Sequence, residues 1–492
     1  MRYPDRVSTR TLSINPWAPP LALVAIAIVV VLTAGIPDAF ALLLASVSAI
    51  IALIGAISSA SHGLRPASVA FYVFWFSWLG VGPIVQLTLQ RVSWGDTVAL
   101  TDRPAVHGAL LLTVLGVAAF WVGSKFADQR HAPSVFATEA SSDVRPKAAV
   151  RGRVVVLLAV ALLALSPFAI RVFGFATYFS SRNERALALR ESGNTLDALG
   201  GAQFAMFTAL PIALAVSTML LSLYQIQSSW NGISQARMQH LITFTIGLAG
   251  CIVFANPLSQ TRFIALTAFG TLAVALFRPR SRGAAVIFVA AAFFAALIVY
   301  PLATFFRGGT AQSAADLTAA TFTGNDFDGF QQVINTIHYV DANGFTFGIQ
   351  LLSAALFFIP RSMWAAKADP ASIDVATHAG YAFTNLSMPI HAELYMQFGV
   401  VGVAAGMLAL GYFTSRVDAA WMSGSGAKLG YFAPYLAMVM FGLLRGPLGS
   451  LVPIYMPTFI VLAIGIAARP RGRSVDSGIR PGAARHEVLP RR

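Results

Sequence analysis

Long apolar runs broken by short polar stretches set the rhythm of this chain. The segment AFALLLASVSAIIALIGAI (39–57) holds nineteen residues without a charge. Wound as a helix, an apolar run of about 20 residues matches the hydrocarbon core of a bilayer. The runs are continuous rather than alternating, which argues against the strands of a membrane barrel. Twelve stretches have this character: 18–35, 38–58, 68–90, 105–125, 153–171, 202–224, 241–256, 263–277, 284–306, 394–415, 429–444 and 449–468. The pattern predicts an all-α polytopic membrane protein with about 12 transmembrane helices. Arg2, Arg6 and Arg10 precede the first run as in a signal peptide, and Ala39-Phe40-Ala41 resembles a cleavage site. The apolar pattern resumes at once, so the reading is an uncleaved helical hairpin turning at Pro37-Asp38.

Composition sharpens this picture. Of 492 residues, 57% are hydrophobic and 11% charged, about half the charged share of a soluble protein. The net charge of +14 would suggest nucleic acid in a soluble chain. Here sidedness explains it, and no nucleic-acid partner is expected. With the N-terminus inside, the inner segments hold 23 of the 34 Lys and Arg and the outer segments 11. The positive-inside rule then places both termini in the cytoplasm. Four regions follow: nine spans over 1–306, a large outside loop over 307–393, three spans over 394–468, and a basic tail over 469–492 expected to be disordered. Cys251, the only cysteine, excludes an internal disulfide and a cysteine-cluster metal site.

The outside loop carries the candidate chemistry, since long loops in compact proteins are usually functional. Residues 346–359 (TFGIQLLSAALFFI) are too short to span, and suit an interfacial or re-entrant helix ended by Pro360. Arg361, Trp364 and Lys367 follow at i, i+3 and i+6. They read either as a diphosphate clamp, with Arg bidentate and Lys a point charge, or as interfacial anchors. Upstream, Phe327, Phe330, Ile334 and Ile337 form an apolar helical stripe. Asp328, Gln332, Asn335 and His338 share the opposite face, either solvated or suited to sugar hydroxyls and acid–base work. Asp326-Phe327-Asp328 is a D-x-D, a weak signal for a metal-bound nucleotide sugar. Downstream, His378, His391, Glu393 and Tyr395 lead into a span, and a carboxylate at a helix mouth is a functional candidate. His391 and Glu393 are two apart and do not share a helical face, which argues against a metal site. Arg182, Arg185 and Arg190 fall on the outer side. So do Arg262, Arg307 and Arg445, which sit at helix ends where they either anchor or bind an anionic headgroup.

The motifs FIPRSMWAAK (358–367), NPLSQTRF (256–263) and HAELYMQFGVVG (391–402) resemble the O-antigen polymerase (Wzy-type) family of oligosaccharide repeat-unit polymerases, mainly over 250–410. The resemblance implies a GT-C-like membrane glycosyltransferase of the bacterial inner membrane. Such an enzyme joins glycan repeat units carried on undecaprenyl diphosphate at the outer face, with no metal and no cofactor. The GT-C acidic pair is missing from the first outside loop, which holds only Asp38. On this reading Arg262, Arg361, Lys367, Arg307 and Arg445 neutralise the leaving diphosphate. Glu393, then His338 or Asp328, serves as the base, while Gln332, Asn335, Trp364 and His391 contact sugar. A chain-length regulator and a flippase are the implied partners. An O-antigen-ligase-like transferase and a lipid-linked sugar flippase are the alternatives.

Overall fold

The computed structural model describes residues 38–61, 63–94, 98–129, 152–181, 184–185, 201–228, 235–277, 279, 281–300, 302, 319–423 and 428–467. Among these residues every regular element is a helix, and there is no strand. In chain order the helices are α1 (Ala39–Ser61), α2 (Pro66–Leu89), α3 (Arg103–Gln129), α4 (Gly152–Phe173), α5 (Gly201–Ser228), α6 (Gln235–Phe254), α7 (Arg262–Leu276) and α8 (Arg282–Phe294). After them come α9 (Gly329–Asn343), α10 (Ile349–Ala355), α11 (Ala371–His378), α12 (Ile390–Met422), α13 (Ala433–Leu443) and α14 (Leu448–Ala467).

Eight of the described helices, α1 to α6, α12 and α14, are long and apolar enough to cross a membrane. Three more apolar helices, of 10–17 residues, coincide with the predicted stretches at 263–277, 284–306 and 429–444. The stretch at 18–35, the basic tail and Arg307 lie outside the described residues. Large apolar side chains such as Leu157, Ile287 and Val401 stand exposed on the outer faces of their helices, where lipid would cover them at no desolvation cost.

Two apolar cores meet along α2 and α12. One gathers α1, α2, α3, α8, α9 and the outer part of α12. The other gathers α4 to α7, α13 and α14. α3 packs tightly against α12, where glycine lets backbone approach backbone. A Cβ on Gly123 would lie 2.0 Å from the Leu408 carbonyl oxygen, and one on Gly411 the same distance from that of Phe120. Small residues give membrane helices their tightest approach in this way.

One end of the bundle is tied by charge. The Asp418 carboxylate accepts from the Ala67 and Ser68 amides at 3.0 and 2.8 Å, and Arg65 pairs with Asp128 at 2.6 Å. The start of α2 is thereby fixed to the ends of α12 and α3. The opposite end carries the 319–389 segment, with α9 packed against α3 and α12. Its apolar stripe is buried as predicted: Phe327, Phe330, Ile334 and Ile337 are each no more than 9% exposed.

The 33 residues of α12 would reach about 50 Å as a straight helix, far beyond a hydrocarbon core of about 30 Å. Gly399 breaks it, with φ +62° and ψ −153°. The break frees two helix carbonyls, and the loop before α10 answers them. Thr346 donates to the Met396 oxygen at 3.0 Å and Phe347 to that of Gln397 at 3.1 Å. Non-helical backbone at this depth survives because it is rebonded by protein. That region of φ and ψ belongs essentially to glycine, and a Cβ there would meet the Phe345 ring at 3.0 Å. The expected outcome for Gly399→Ala is a destabilisation of about 1–3 kcal/mol, seen as a lower Tm in phosphatidylcholine nanodiscs.

Candidate functional site

A pocket of about 550 Å³ opens at the end of the bundle that carries α9. Its walls come from Trp94, from the turn into α7, from Asn325–Asp328, from 383–387 and from the α13–α14 turn. The charge count assigned every one of these loops to the outer side. Three of the predicted site residues, Arg262, Arg445 and Asp328, meet here.

Local sequence fixes each of them. Asn256 accepts from the Leu258 amide through its side chain at 2.9 Å, and Thr261 caps α7 by accepting from Ile264 at 3.4 Å. Arg262 is therefore the first residue of α7, with its guanidinium 5.3 Å from the Tyr300 ring centre. Arg445 sits in the turn between α13 and α14, over the Phe263 ring at 5.0 Å. Its carbonyl accepts from the Met388 amide at 2.6 Å. Both guanidiniums face one carboxylate: Arg262 Nη1 lies 3.4 Å from Asp326 Oδ2, and Arg445 Nη2 lies 3.1 Å from Asp326 Oδ1. Arg445 also donates to the Asn325 carbonyl at 3.2 Å, while its buried Nε has no partner among the described residues.

Polar groups of α2 hold the turn that bears Asp326. Gln86 donates to the carbonyls of Phe322 and Phe327 at 2.8 and 2.9 Å. A π-helical turn over Trp75–Val81 presents Trp78, whose indole donates to the Asp326 carbonyl at 2.9 Å and stacks on Phe327 at 4.6 Å. Asp328 follows at the start of α9 and is 1% exposed. Its Oδ2 accepts from the Trp94 indole at 2.9 Å and from the Ser387 amide at 3.2 Å. Its Oδ1 is buried without a partner among the described residues. Desolvation raises its pKa above the usual carboxylate range, partly offset by the charge of Arg445 and by these hydrogen bonds. The site thus holds two guanidiniums, a carboxylate between them, and a second carboxylate with one oxygen unused.

The other predicted residues lie elsewhere. The segment 360–370 forms turns rather than a helix, so Arg361, Trp364 and Lys367 do not line up. Lys367 points its ammonium at the carbonyls of Leu356, Phe357 and Ile359, at 3.1, 2.9 and 2.8 Å. It closes the end of α10, and those carbonyls take all three of its protons. Arg361 binds the Lys367 carbonyl at 2.7 Å and Asp369 at 2.5 Å. Neither cation lines the pocket, and nor does Trp364. Glu393 is fully buried, and its Oε2 accepts from the Leu448 amide at 2.9 Å. It anchors the first turn of α14 rather than reaching the pocket. His391 is buried against Trp75 inside the bundle, with Nε2 3.4 Å from Thr113 Oγ1. His338 faces Asp102 at 2.9 Å. Asn335 donates to Gln332 Oε1 at 3.2 Å and to the Tyr381 hydroxyl at 3.1 Å, so of this face of α9 Asp328 alone lines the pocket, while Gln332 and Asn335 are buried beside it.

Sequence reading missed Trp94, Asp326, Asn385 and Ser387. Asp326 had a signal in the D-x-D, but the motif means something else here. Its first carboxylate faces two arginines, and its second is bonded to Trp94 and Ser387. Among the described residues no three His, Cys, Asp or Glu side chains come together as a metal site would need.

Two measurements separate the site from its scaffold. Because burial raises the Asp328 pKa, stability is greatest with the carboxyl protonated and is lost as pH rises through that pKa. Asp328→Asn is therefore expected to melt higher than wild type at pH 8, with the gap narrowing toward pH 5. A gap independent of pH contradicts this. Lys367→Met strands three carbonyls and is expected to cost roughly 2–4 kcal/mol, while leaving anion binding in the pocket unchanged. No protein-family model, no curated protein and no solved structure matches this chain.

Proposed function

We propose that the chain is a membrane glycosyltransferase that joins glycan repeat units carried on undecaprenyl diphosphate, at the outer face of a bacterial cytoplasmic membrane. The observation that carries this reading is the mixed lining of the pocket. Arg262, Arg445 and Asp328 stand in its wall together with the aliphatic side chains of Leu258, Ile264, Leu451 and Ile454. An anionic headgroup on an isoprenoid chain combines the same two chemistries.

The chemistry is a transfer at an anomeric carbon. The bond from that carbon to the diphosphate oxygen breaks, and undecaprenyl diphosphate leaves with the bonding pair. Arg262 and Arg445 neutralise the charge as it grows. The acceptor hydroxyl oxygen bonds to the same carbon, and its proton passes to Asp328 Oδ1. A carboxylate held above its usual pKa is a better match to this task near neutral pH. Asp326 keeps the two guanidiniums apart and oriented before substrate arrives, which lowers the reorganisation that binding requires.

The test is binding and turnover in nanodiscs. Arg262→Ala and Arg445→Ala are each expected to weaken undecaprenyl diphosphate binding about tenfold, as for loss of a charged hydrogen bond. Asp328→Asn is expected to keep that binding and to lose polymer. Cells lacking the protein are expected to accumulate single lipid-linked repeat units. Full binding by the double arginine variant discards the reading, and accumulation of finished, untransferred polymer favours a ligase instead.

A further inference from the structure

The wall of the pocket next to Asp328 is aromatic, and the reaction above gives it no role. Trp94 and Phe383 stack with ring centres 5.8 Å apart and planes 26° from parallel. Both line the pocket, and Phe383 is 51% exposed. Trp94 is held with unusual care for a loop residue. Its amide donates to Gln331 Oε1 at 2.8 Å, its carbonyl accepts from Gln331 Nε2, and its indole nitrogen donates to Asp328. The neighbouring Ser93 hydroxyl reaches the Gly324 carbonyl at 2.9 Å. The rings thus form a fixed, partly open surface. Polar residues border it: Asp328, whose buried Oδ1 has no partner among the described residues, and Asn385, whose side chain is exposed. The aliphatic residues that would suit an isoprenoid, Leu258, Ile264, Leu451 and Ile454, come from the turn before α7, from α7 and from α14.

We infer that Trp94 and Phe383 are a binding platform for a pyranose ring, the acceptor sugar of the transfer; this deepens the proposed function and rests on it. A pyranose has one face of C–H groups, which pack on the negative face of an aromatic ring, and a rim of hydroxyls. Lying on the Trp94–Phe383 surface, the ring turns its rim toward Asp328 Oδ1 and Asn385. The hydroxyl that reaches Asp328 is the one that gives up its proton. Trp94 has two tasks on this view: its ring face carries the sugar, and its N–H holds the carboxylate that the sugar must meet.

The test uses the full chain in phosphatidylcholine nanodiscs, which avoid sugar-headed detergents. The probes are the methyl glycosides of glucose, galactose, mannose and N-acetylglucosamine at millimolar concentration, followed by saturation-transfer NMR. At least one is expected to show transfer to its C–H face protons. Phe383→Ala is expected to weaken that glycoside by roughly three- to tenfold, and Phe383→Tyr to restore it. Phe383→Ala is also expected to keep the wild-type Tm and wild-type binding of undecaprenyl diphosphate. No glycoside signal with wild type, or a signal unchanged by Phe383→Ala, overturns the platform while the diphosphate result stands. Diphosphate binding that survives both arginine substitutions sinks the parent reading instead, whatever the glycosides do.

Discussion

Hydrocarbon has no hydrogen bonds to offer, so a chain inside it must answer its own polar groups. That constraint organises the departures from regular helix in this protein. Where α12 breaks at Gly399, the freed carbonyls of Met396 and Gln397 are taken by Thr346 and Phe347. Where α10 ends, Lys367 gathers three carbonyls. Where α2 begins, Asp418 accepts from the first amides. Against that background Asp328 Oδ1 and Arg445 Nε, which have no partner among the described residues, stand out because both belong to residues lining one open pocket. An unmet polar atom in a cavity wall is where a ligand can be bound without first being exchanged for a protein partner.

The electrostatics of the pocket follow from the same economy. Two guanidiniums near a membrane surface repel each other and are costly to desolvate. Asp326 sits between them and lowers both costs. Asp328 lies deeper, bonded at one oxygen and bare at the other, and its burial favours the neutral form. The two carboxylates of one D-x-D therefore have separate environments: one is a counter-ion, the other a proton acceptor. Pairs of acids whose surroundings push them apart in this way are a recurring basis for acid–base chemistry.

Much of this architecture was legible in the chain. Apolar run length located eleven of the twelve predicted stretches on described helices, because a bilayer fixes length and hydropathy together. The sidedness of Lys and Arg brought Arg262, Arg445 and the 325–328 turn to one end of the bundle. Spacing placed Arg361 and Lys367 together as a clamp or as anchors, but in the fold both bond their own loop: Lys367 the carbonyls of 356–359, and Arg361 the Lys367 carbonyl and the Asp369 carboxylate. A cation in a loop can bind a ligand or its own chain, and only the folded carbonyls decide which. Glu393 was chosen because a buried acid is costly, but a helix start is also an anion-binding site, and Leu448 supplied one. Trp94 was invisible because its role depends on Gln331, more than two hundred residues away.

The seven residues from Ser387 to Glu393 form a mechanical strut. Ser387 holds the Asp328 carboxylate through its amide, the next residue, Met388, bonds the Arg445 carbonyl, and the other end caps α14 through Glu393. The Asp328 carboxylate and the backbone of Arg445 are thus hydrogen-bonded to two adjacent residues of one stretch of chain. Flexing of the bundle, or a thicker or thinner bilayer, can change how wide the mouth stands. Such a change leaves the Asp328 carboxylate and the Arg445 backbone tied to neighbouring peptide units, so the distance between those anchor points is one that the chain itself fixes.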